Sequence, residues 1–519
     1  MITSKNKKGP IVLITGDISY VFPSGYGYLA GYLVERGEEV KILIKPKEEK
    51  EYPEFIKKII ELNPLLTGFG GLYGDLPTIK QFIANLSGRD FPIVIGGQMV
   101  TPTPEFAVEV TGADIGVIGE GEIILYKLVQ ALRAGSEIAK VGGLVINHEG
   151  KQSLTGPGEI IEDLSKLPKI PYDLFPSTDW LNVGRMYLAF PQPHNQFTDR
   201  TVTIHGGRGC PFHCNFCYHH SRARYRPIPA MMEDAETAIK KFNANHLFFD
   251  DDLAMVTPQR AQELMDGIKK LSKPVEYSMS VRMDIISRTD DRLLKEMKLS
   301  GCRCLGPGIE SGSQRILDIM NKKITVDQII TGLRRLKNAG ILTTSSIMVG
   351  QLDERPEDIQ KSIDLMLETL RYDKNINYFF TVCTPFPGSD LYRICFEKGI
   401  LKTHYDFFKR FNQHGNFTDI TVNLTKMSDQ ELMEWYKKLK MAYRLEKRKA
   451  VGPRVFKIEQ LMTRANRLDG RLKNKYLNKL TGNFFGELIN KIYNFFYNLM
   501  QICFEKVRLY LLGIKKFKI

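Results

Sequence analysis

Apolar and polar positions along the first 150 residues follow a repeating strand–helix rhythm. Short β-branched or leucine-rich runs occur at 11–15, 40–44, 65–69, 93–95 and 115–118. Each is too short for a helix and reads as a strand. Between them, apolar residues return every three or four positions over 25–36, 53–62, 76–86, 105–111 and 122–134, the spacing of one helical face. Gly37 follows the first of these as a helix-ending residue. Such βαβα alternation predicts an α/β fold with a doubly wound parallel sheet. Ligands of such sheets sit outside the carboxyl ends of the strands. The glycine-rich stretches 24–28, 68–74, 96–97 and 119–121 all follow predicted strands, so they converge on that edge. None has the GxGxxG spacing with a later acidic residue, so a dinucleotide is not indicated.

Residues 151–200 are rich in proline and polar groups and read as a linker. The rhythm then resumes, with strands expected at 201–205, 247–250, 277–281, 304–309, 342–349 and 378–384. Six βα units over 201–425 predict a partial or full TIM-like (β/α) barrel, whose active site lies at the carboxyl-end face. From 426 to 519 the pattern is helical and basic. No internal repeat or low-complexity tract is present.

Composition is that of a globular chain: 519 residues, 43% hydrophobic and 25% charged. The net charge of +14 is local, because residues 436–519 hold 21 Lys and Arg against 5 Asp and Glu. The body before them is slightly acidic, and nothing resembling an RNA-reading fold accompanies the basic segment. Nucleic acid is therefore disfavoured. Residues 484–512 interleave aromatics and leucines with charges, but their longest uncharged run, 492–504, is shorter than the roughly 20 residues needed to span a bilayer. An interfacial amphipathic helix is expected, peripheral at an anionic membrane surface. The alternative is a helical cap packed on the barrel. The apolar run at 11–15 is shorter than a secretory core of about 7–15 residues, and eight cysteines make no disulfide framework. A cytoplasmic enzyme, at most peripheral at the inner face of the membrane, is the expectation.

Three cysteines lie within eight residues, in Gly209-Cys210-Pro211-Phe212-His213-Cys214-Asn215-Phe216-Cys217, directly after the first barrel strand. A complete four-iron cluster takes four thiolates; three leave one iron open to an outside ligand. Zinc is the alternative, since Cys3His is a structural zinc set and His213, His219 and His220 lie close in sequence. A zinc-stabilised, membrane-associated scaffold is accordingly the non-enzyme reading. The spacing lacks the paired C-x2-C arms of such sites. Cys302, Cys304, Cys383, Cys395 and Cys503 show no ligand spacing and are expected as small buried hydrophobes, with a hydrogen donor near the barrel mouth as the sharper alternative. Tyr218, His219 and Arg226 are candidates for contacts to substrate or to the groups that surround it.

The cysteine triplet resembles the signature of the radical S-adenosylmethionine (SAM) enzymes. With the N-terminal domain, the chain resembles their cobalamin-binding class over roughly residues 10–400. Supporting motifs follow in the family's order: Gly96-Gly97 with Pro104-Glu105, Gly119-Glu120-Gly121-Glu122, Asp250-Asp251, Gly308-Ile309-Glu310-Ser311-Gly312-Ser313 and Thr384-Pro385-Phe386-Pro387-Gly388-Ser389. The resemblance implies a Rossmann-like cobalamin domain over 1–150 and a radical SAM barrel over 201–425. It makes Cys210, Cys214 and Cys217 the ligands of a [4Fe–4S] cluster whose open iron binds SAM. It places Phe216, Asp250, Asp251, Arg282, Glu310, Ser311 and Gly350 around SAM, although 348–354 departs from the family's Gly-Leu-Pro-Gly-Glu. It places Ser24, Gly25, Tyr26, Gly70, Gly71, Tyr73, Gly96, Gly97, Gln98, Glu120 and Gly121 around cobalamin.

No histidine precedes His148, so this domain cannot offer the histidine ligand that the methionine-synthase type places after its first strand. The lower face of cobalt is then open, water-bound or approached by Tyr73 or Gln98. The resemblance implies methylation of an unactivated carbon: one SAM yields a 5′-deoxyadenosyl radical, another supplies methyl through cobalamin, and an external donor such as flavodoxin or ferredoxin supplies electrons. A radical cyclase or rearrangement enzyme, in which cobalamin does not donate methyl, is the alternative. The substrate is a small molecule or, given the C-terminal segment, a lipid.

Overall fold

A computed structural model describes residues 4, 6–16, 18, 22–46, 48–86, 88–182, 199–218, 221–414 and 417–458, with 461, 496, 497, 499, 500, 503, 506 and 507 beyond them. The chain divides into two compact units. One comprises Met1–Trp180, His205–Ala230 and Cys383–Asn423; the other comprises Leu181–Ile204, Met231–Val382 and Leu424–Ile519.

The first unit is built on β1 (Ile11–Thr15), β2 (Val40–Ile44), β3 (Leu66–Gly70), β4 (Ile93–Gly96), β5 (Ile115–Val117), β6 (Leu144–His148) and β7 (Lys151–Leu154). They form one sheet in the order β2-β1-β3-β4-β5-β6-β7. The first five strands are parallel, linked through α1 (Ser24–Val34), α2 (Tyr52–Glu61), α3 (Leu76–Ala84), α4 (Pro104–Thr111) and α5 (Gly121–Ala134). All five residues of β1 are buried, as expected of a central parallel strand covered on both faces. These elements match the sequence pattern to within about two residues at each end. The antiparallel pair β6–β7 does not appear in that pattern. It turns at Glu149 and Gly150, both with positive φ.

The expected linker is also corrected. Residue 151 already belongs to β7, and the proline-rich stretch after it is a strap packed on the same unit. Ile161, Leu164 and Leu167 bury against Tyr28. Phe22 lies 4.6 Å from the ring of Phe175 and 4.8 Å from that of Trp180. The rest of the expected linker, 183–198, lies outside the described residues.

The second unit holds β8 (Thr201–Ile204) and, after a short pair β9 (Gly207–Arg208) and β10 (Arg224–Tyr225) that belongs to the first unit, β11 (His246–Phe249), β12 (Glu276–Val281), β13 (Cys302–Pro307), β14 (Leu342–Val349) and β15 (Asn377–Val382). All six are parallel in chain order, with β8 and β15 as the edges. The sheet is thus a partial barrel. Helix Asp429–Val451 packs along β15, where the Tyr436 hydroxyl donates to the Phe380 carbonyl at 3.1 Å and Lys447 to that of Ile376 at 2.8 Å. The start of the basic region therefore caps this sheet. Cys302 and Cys304 are buried at the entrance of β13, and burial raises both thiols, that of Cys304 to about 12. They are packing groups, as expected.

The amino-end side of this sheet is held by buried polar groups. Arg303 forks onto Asp199 at 2.5 and 3.0 Å and also bonds Glu276. His246 bridges Thr201 at 3.1 Å and Ser278 at 3.0 Å. Burial, with Arg303 nearby, lowers the His246 pKa to about 3. The unfolded chain takes up this proton near pH 6.5 and the folded chain only near pH 3, so His246 costs stability as pH falls through that window, up to about 1.4 kcal/mol per unit. The stability gap between the native chain and His246→Asn should therefore narrow between about pH 6.5 and 4. Urea unfolding at several pH values reads this, and a constant gap contradicts it.

Candidate active site

Parallel strands deliver their following turns to one edge, and in the first unit those turns enclose a cavity of about 250 Å³. It lies among β1, β3, β4, β5, α1 and the start of α5, and its walls include Leu13, Gly25, Tyr26, Leu29, Gly70, Gly71, Gly96, Gly97, Glu120 and Gly121. Glycine is required at Gly97: its φ is +85°, and a Cβ there would lie 3.0 Å from the Gly71 carbonyl oxygen. A Cβ on Gly121 would lie 3.0 Å from Leu29. The Tyr26 hydroxyl accepts from Gly70 N at 2.6 Å and reaches the Ile14 carbonyl at 2.7 Å. It thereby stitches β1 to β3 and leaves only its ring on the cavity. Volumes of whole-ligand pockets run from about 300 to 1,000 Å³, so this one takes part of a larger ligand. A narrow, mostly apolar, glycine-walled slot would admit a slender arm of a larger cofactor such as cobalamin, held by Gly70, Gly71, Gly96, Gly97 and Gly121.

Three of the residues expected around cobalamin do not line this cavity. Tyr73 is buried, its ring 5.4 Å from Phe407 and 5.5 Å from Phe411 of helix His404–His414. That aromatic cluster removes it as a cobalt-facing group. Ser24 lies in the first turn of α1, its hydroxyl 3.4 Å from the Phe22 carbonyl. Gln98 is exposed past the turn.

The three cysteines sit on a hairpin of the same unit. Its neck is the antiparallel pair β9–β10, in which Arg208 stands opposite Arg224. Within the loop, Cys217 N donates to the Cys214 carbonyl at 3.0 Å. Cys214 is buried, while Cys210 and Cys217 are half-buried. The loop is braced from the segment after β15: Leu391 N donates to the Asn215 carbonyl at 3.0 Å, and Gly388, with φ +88°, lies flat against the Tyr218 ring. Burial raises the Tyr218 hydroxyl to about 12. Arg226 closes the chain below the neck, donating to the His205 carbonyl at 3.0 Å. Among the described residues no group of three or more His, Cys, Asp or Glu side chains, the three cysteines included, is gathered around a single metal position. His213 is exposed, and His219 and His220 lie outside the described residues. Three thiols of one kind fit a cluster with one open iron better than a closed zinc site.

Glu120 and Glu122, on the cavity wall, meet the hairpin's arginines. Arg208 bonds Glu120 at 2.6 Å and Glu122 at 2.5 Å, and Arg224 bonds Glu120 from the other side. Burial would raise the Glu120 carboxyl, but the two arginines hold it below its ordinary value. Neither Arg208 nor Arg224 is evident from sequence as a site residue. The signal was a closely spaced acidic pair that needs counter-ions once buried.

Six of the SAM-side candidates belong to the second unit, at the carboxyl ends of its strands; Phe216 stands half-buried in the cysteine hairpin. Asp250 is exposed and Asp251 buried just after β11. Glu310 has φ +65° and bonds Ser346 at 2.7 Å and Lys322 at 3.0 Å. Its backbone N donates to Ser346 at 3.0 Å and its carbonyl accepts from Met348 at 2.8 Å. A non-glycine residue held in that region is strained. Arg282 already donates to Asp284 at 2.9 Å and to the Lys322 carbonyl at 2.6 Å. Ser311 is corrected: fully buried, its hydroxyl accepts from Ser313 N at 3.1 Å and meets Ser362 at 3.3 Å, so it serves packing rather than a ribose. Gly350 N donates to Glu354 at 2.6 Å. Burial lifts that carboxyl to about 8, and it closes the turn in which residues 351–353 depart from the pattern Gly-Leu-Pro-Gly-Glu.

Comparison with known proteins gives a B12 binding domain over residues 14–129 and the Radical SAM superfamily over 204–366. An uncharacterized methyltransferase of Pyrococcus horikoshii is 28% identical, over 73% of this chain and 80% of its own. The anaerobic magnesium-protoporphyrin IX monomethyl ester cyclase of Rubrivivax gelatinosus is 26% identical, over 75% of this chain and 68% of its own. Among solved structures, the radical SAM methyltransferase TsrM of Kitasatospora setae, with cobalamin and a [4Fe–4S] cluster bound, has a TM-score of 0.60 at 18% identity, covering 75% of each chain. At that identity it bears on the fold.

Gly97→Val should abolish cobalamin retention, because its side chain collides with the Gly71 backbone in the cavity wall and its φ is disfavoured for a β-branched residue, while iron binding by the cysteines persists. Absorption of bound cobalamin and iron content per chain, measured on one preparation, read the two effects; retained cobalamin contradicts the assignment of the cavity. The chain thus joins a B12 binding domain to a domain of the Radical SAM superfamily, and cobalamin, SAM and a [4Fe–4S] cluster are the cofactors that these paired domains imply.

Proposed function

We propose that this enzyme methylates an unactivated carbon. The observation that carries the reading is the cobalamin domain without a histidine before His148: this stretch would offer no histidine ligand to cobalt, which would favour a methyl group that is readily released. The relatives named as methyltransferases support it. When bound, the cluster supplies the electron that cleaves SAM, and cobalamin carries the methyl group. The chain's own residues do the rest: the cysteine hairpin presents three thiolates, the glycine turns admit a slender arm of the cofactor, and Tyr26 and Tyr73 use their hydroxyl and ring to hold the strand edge.

A cyclase is the second reading, favoured by the relative that carries that name. The mass of the product distinguishes them. With methyl-labelled SAM, methylation adds one labelled methylene equivalent to the product, whereas ring closure removes two hydrogens and incorporates no label. The latter outcome contradicts the proposal.

We further propose that the C-terminal region rests on an anionic membrane surface. Phe496, Leu499, Met500, Cys503 and Val507 are helical and exposed, and their spacing places them on one helical face. The surrounding segment carries the basic excess. No helix among the described residues is long and apolar enough to cross a membrane. Each Lys or Arg near such a surface contributes about 1 kcal/mol. The full chain should sediment with vesicles containing phosphatidylglycerol and less with pure phosphatidylcholine. Phe496→Asp with Leu499→Asp should abolish this; unchanged sedimentation contradicts it.

A further inference from the structure

The hairpin that carries the cysteines has an electrostatic defect built into its neck. Arg208 and Arg224 are direct cross-strand partners, and like charges in that position repel. Both are largely buried, with side chains 17% and 7% exposed. The neck contains only two residues on each side, so its backbone bonds alone are few. What neutralises it comes from elsewhere in the sequence. Glu120 places one carboxylate oxygen on each arginine, and Glu122 adds a second anion on Arg208. The quartet is charge-balanced and desolvated, the setting in which a guanidinium fork on carboxylates is strong and geometrically specific. Arg224 also donates to the Ile161 carbonyl, tying the neck to the strap.

The same carboxylates are part of the cavity. Glu120, Glu122 and Arg208 all line it, and Glu120 immediately precedes α5, whose first residue, Gly121, packs against Leu29 on the opposite wall. Arg208 stands two residues before Cys210. A shift of the cavity wall therefore moves the counter-ion on which closure of the cysteine hairpin depends, and the reverse holds equally. We propose that Glu120, Glu122, Arg208 and Arg224 are positioning residues that couple the two cofactor sites, so that filling the glycine-lined cavity with cobalamin tightens the cysteine hairpin around its cluster. The coupling is reciprocal by linkage. It rests on the cofactors of the family, not on whether the product is methylated or cyclised.

The test uses the full chain, anaerobically reconstituted with iron and sulfide, with and without hydroxocobalamin. Release of iron to a chelator, bathophenanthroline, is timed in both states. Cobalamin should slow release by about tenfold, within the usual range of coupling between sites. In Glu120→Gln, which leaves both arginines opposed without their shared anion, protection should fall to less than about twofold when measured at hydroxocobalamin concentrations that saturate the variant. Reciprocally, the cluster should tighten hydroxocobalamin binding in the native chain and not in the variant. If Glu120→Gln holds no cluster, Arg208→Lys is measured instead; it keeps the charge, loses the fork and should give intermediate protection. Equal protection in native and variant chains overturns the proposal, and so does absence of protection in the native chain. A purely structural quartet would lower cluster stability in both states and leave the ratio unchanged.

Discussion

Two guanidinium groups facing each other across a two-residue β pair need a shared anion, and Glu120 is that anion. The arrangement fixes more than one contact. Its acid comes from the turn after β5, its bases flank the loop that holds Cys210, Cys214 and Cys217, and all of them lie in one compact unit. The radical SAM hairpin is thus structurally part of the cobalamin domain's strand edge. A buried pair of this kind contributes less to stability than to a defined arrangement, because desolvation offsets much of the Coulomb attraction. The value of the quartet lies in where it puts the thiols.

Around that constraint the other features take their place. Parallel strands send their turns to one edge, and the turns are glycine where backbone must come close, as at Gly97. Aromatic side chains that the sequence offers to the cofactor are used instead for packing: Tyr73 joins Phe407 and Phe411, and helix His404–His414 is thereby fastened to the turn after β3. The second unit follows a parallel logic, with strained Glu310 held between Lys322 and Ser346 at the carboxyl end of its sheet. Buried His246 and Arg303 secure the opposite end.

Much of this was legible in the chain itself. Each parallel strand is a short apolar run bounded by glycine or polar residues, so β1 and β14 were placed to the residue. The pair β6–β7 was not, because its outer strand, Lys151–Leu154, is mostly exposed and carries little apolar signal. The strap over 161–180 reads as a linker since its prolines and polar residues hide the few side chains that pack, such as Trp180. Local motifs located the cysteines and the glycine turns. They could not reveal that Ser311 points into packing against Ser362, or that Arg224 meets Glu120 across 104 residues of sequence. Those are properties of the tertiary fold, and no spacing rule carries them.

The identity of what the cysteines hold decides the chemistry of this chain. Metal analysis and absorption spectroscopy of the full chain, reconstituted anaerobically with iron, sulfide and hydroxocobalamin, address it in one preparation. An iron–sulfur spectrum that disappears in Cys214→Ala is expected, together with bound cobalamin in the same chain. Zinc at the cysteines, with neither iron–sulfur absorption nor cobalamin, would contradict this expectation.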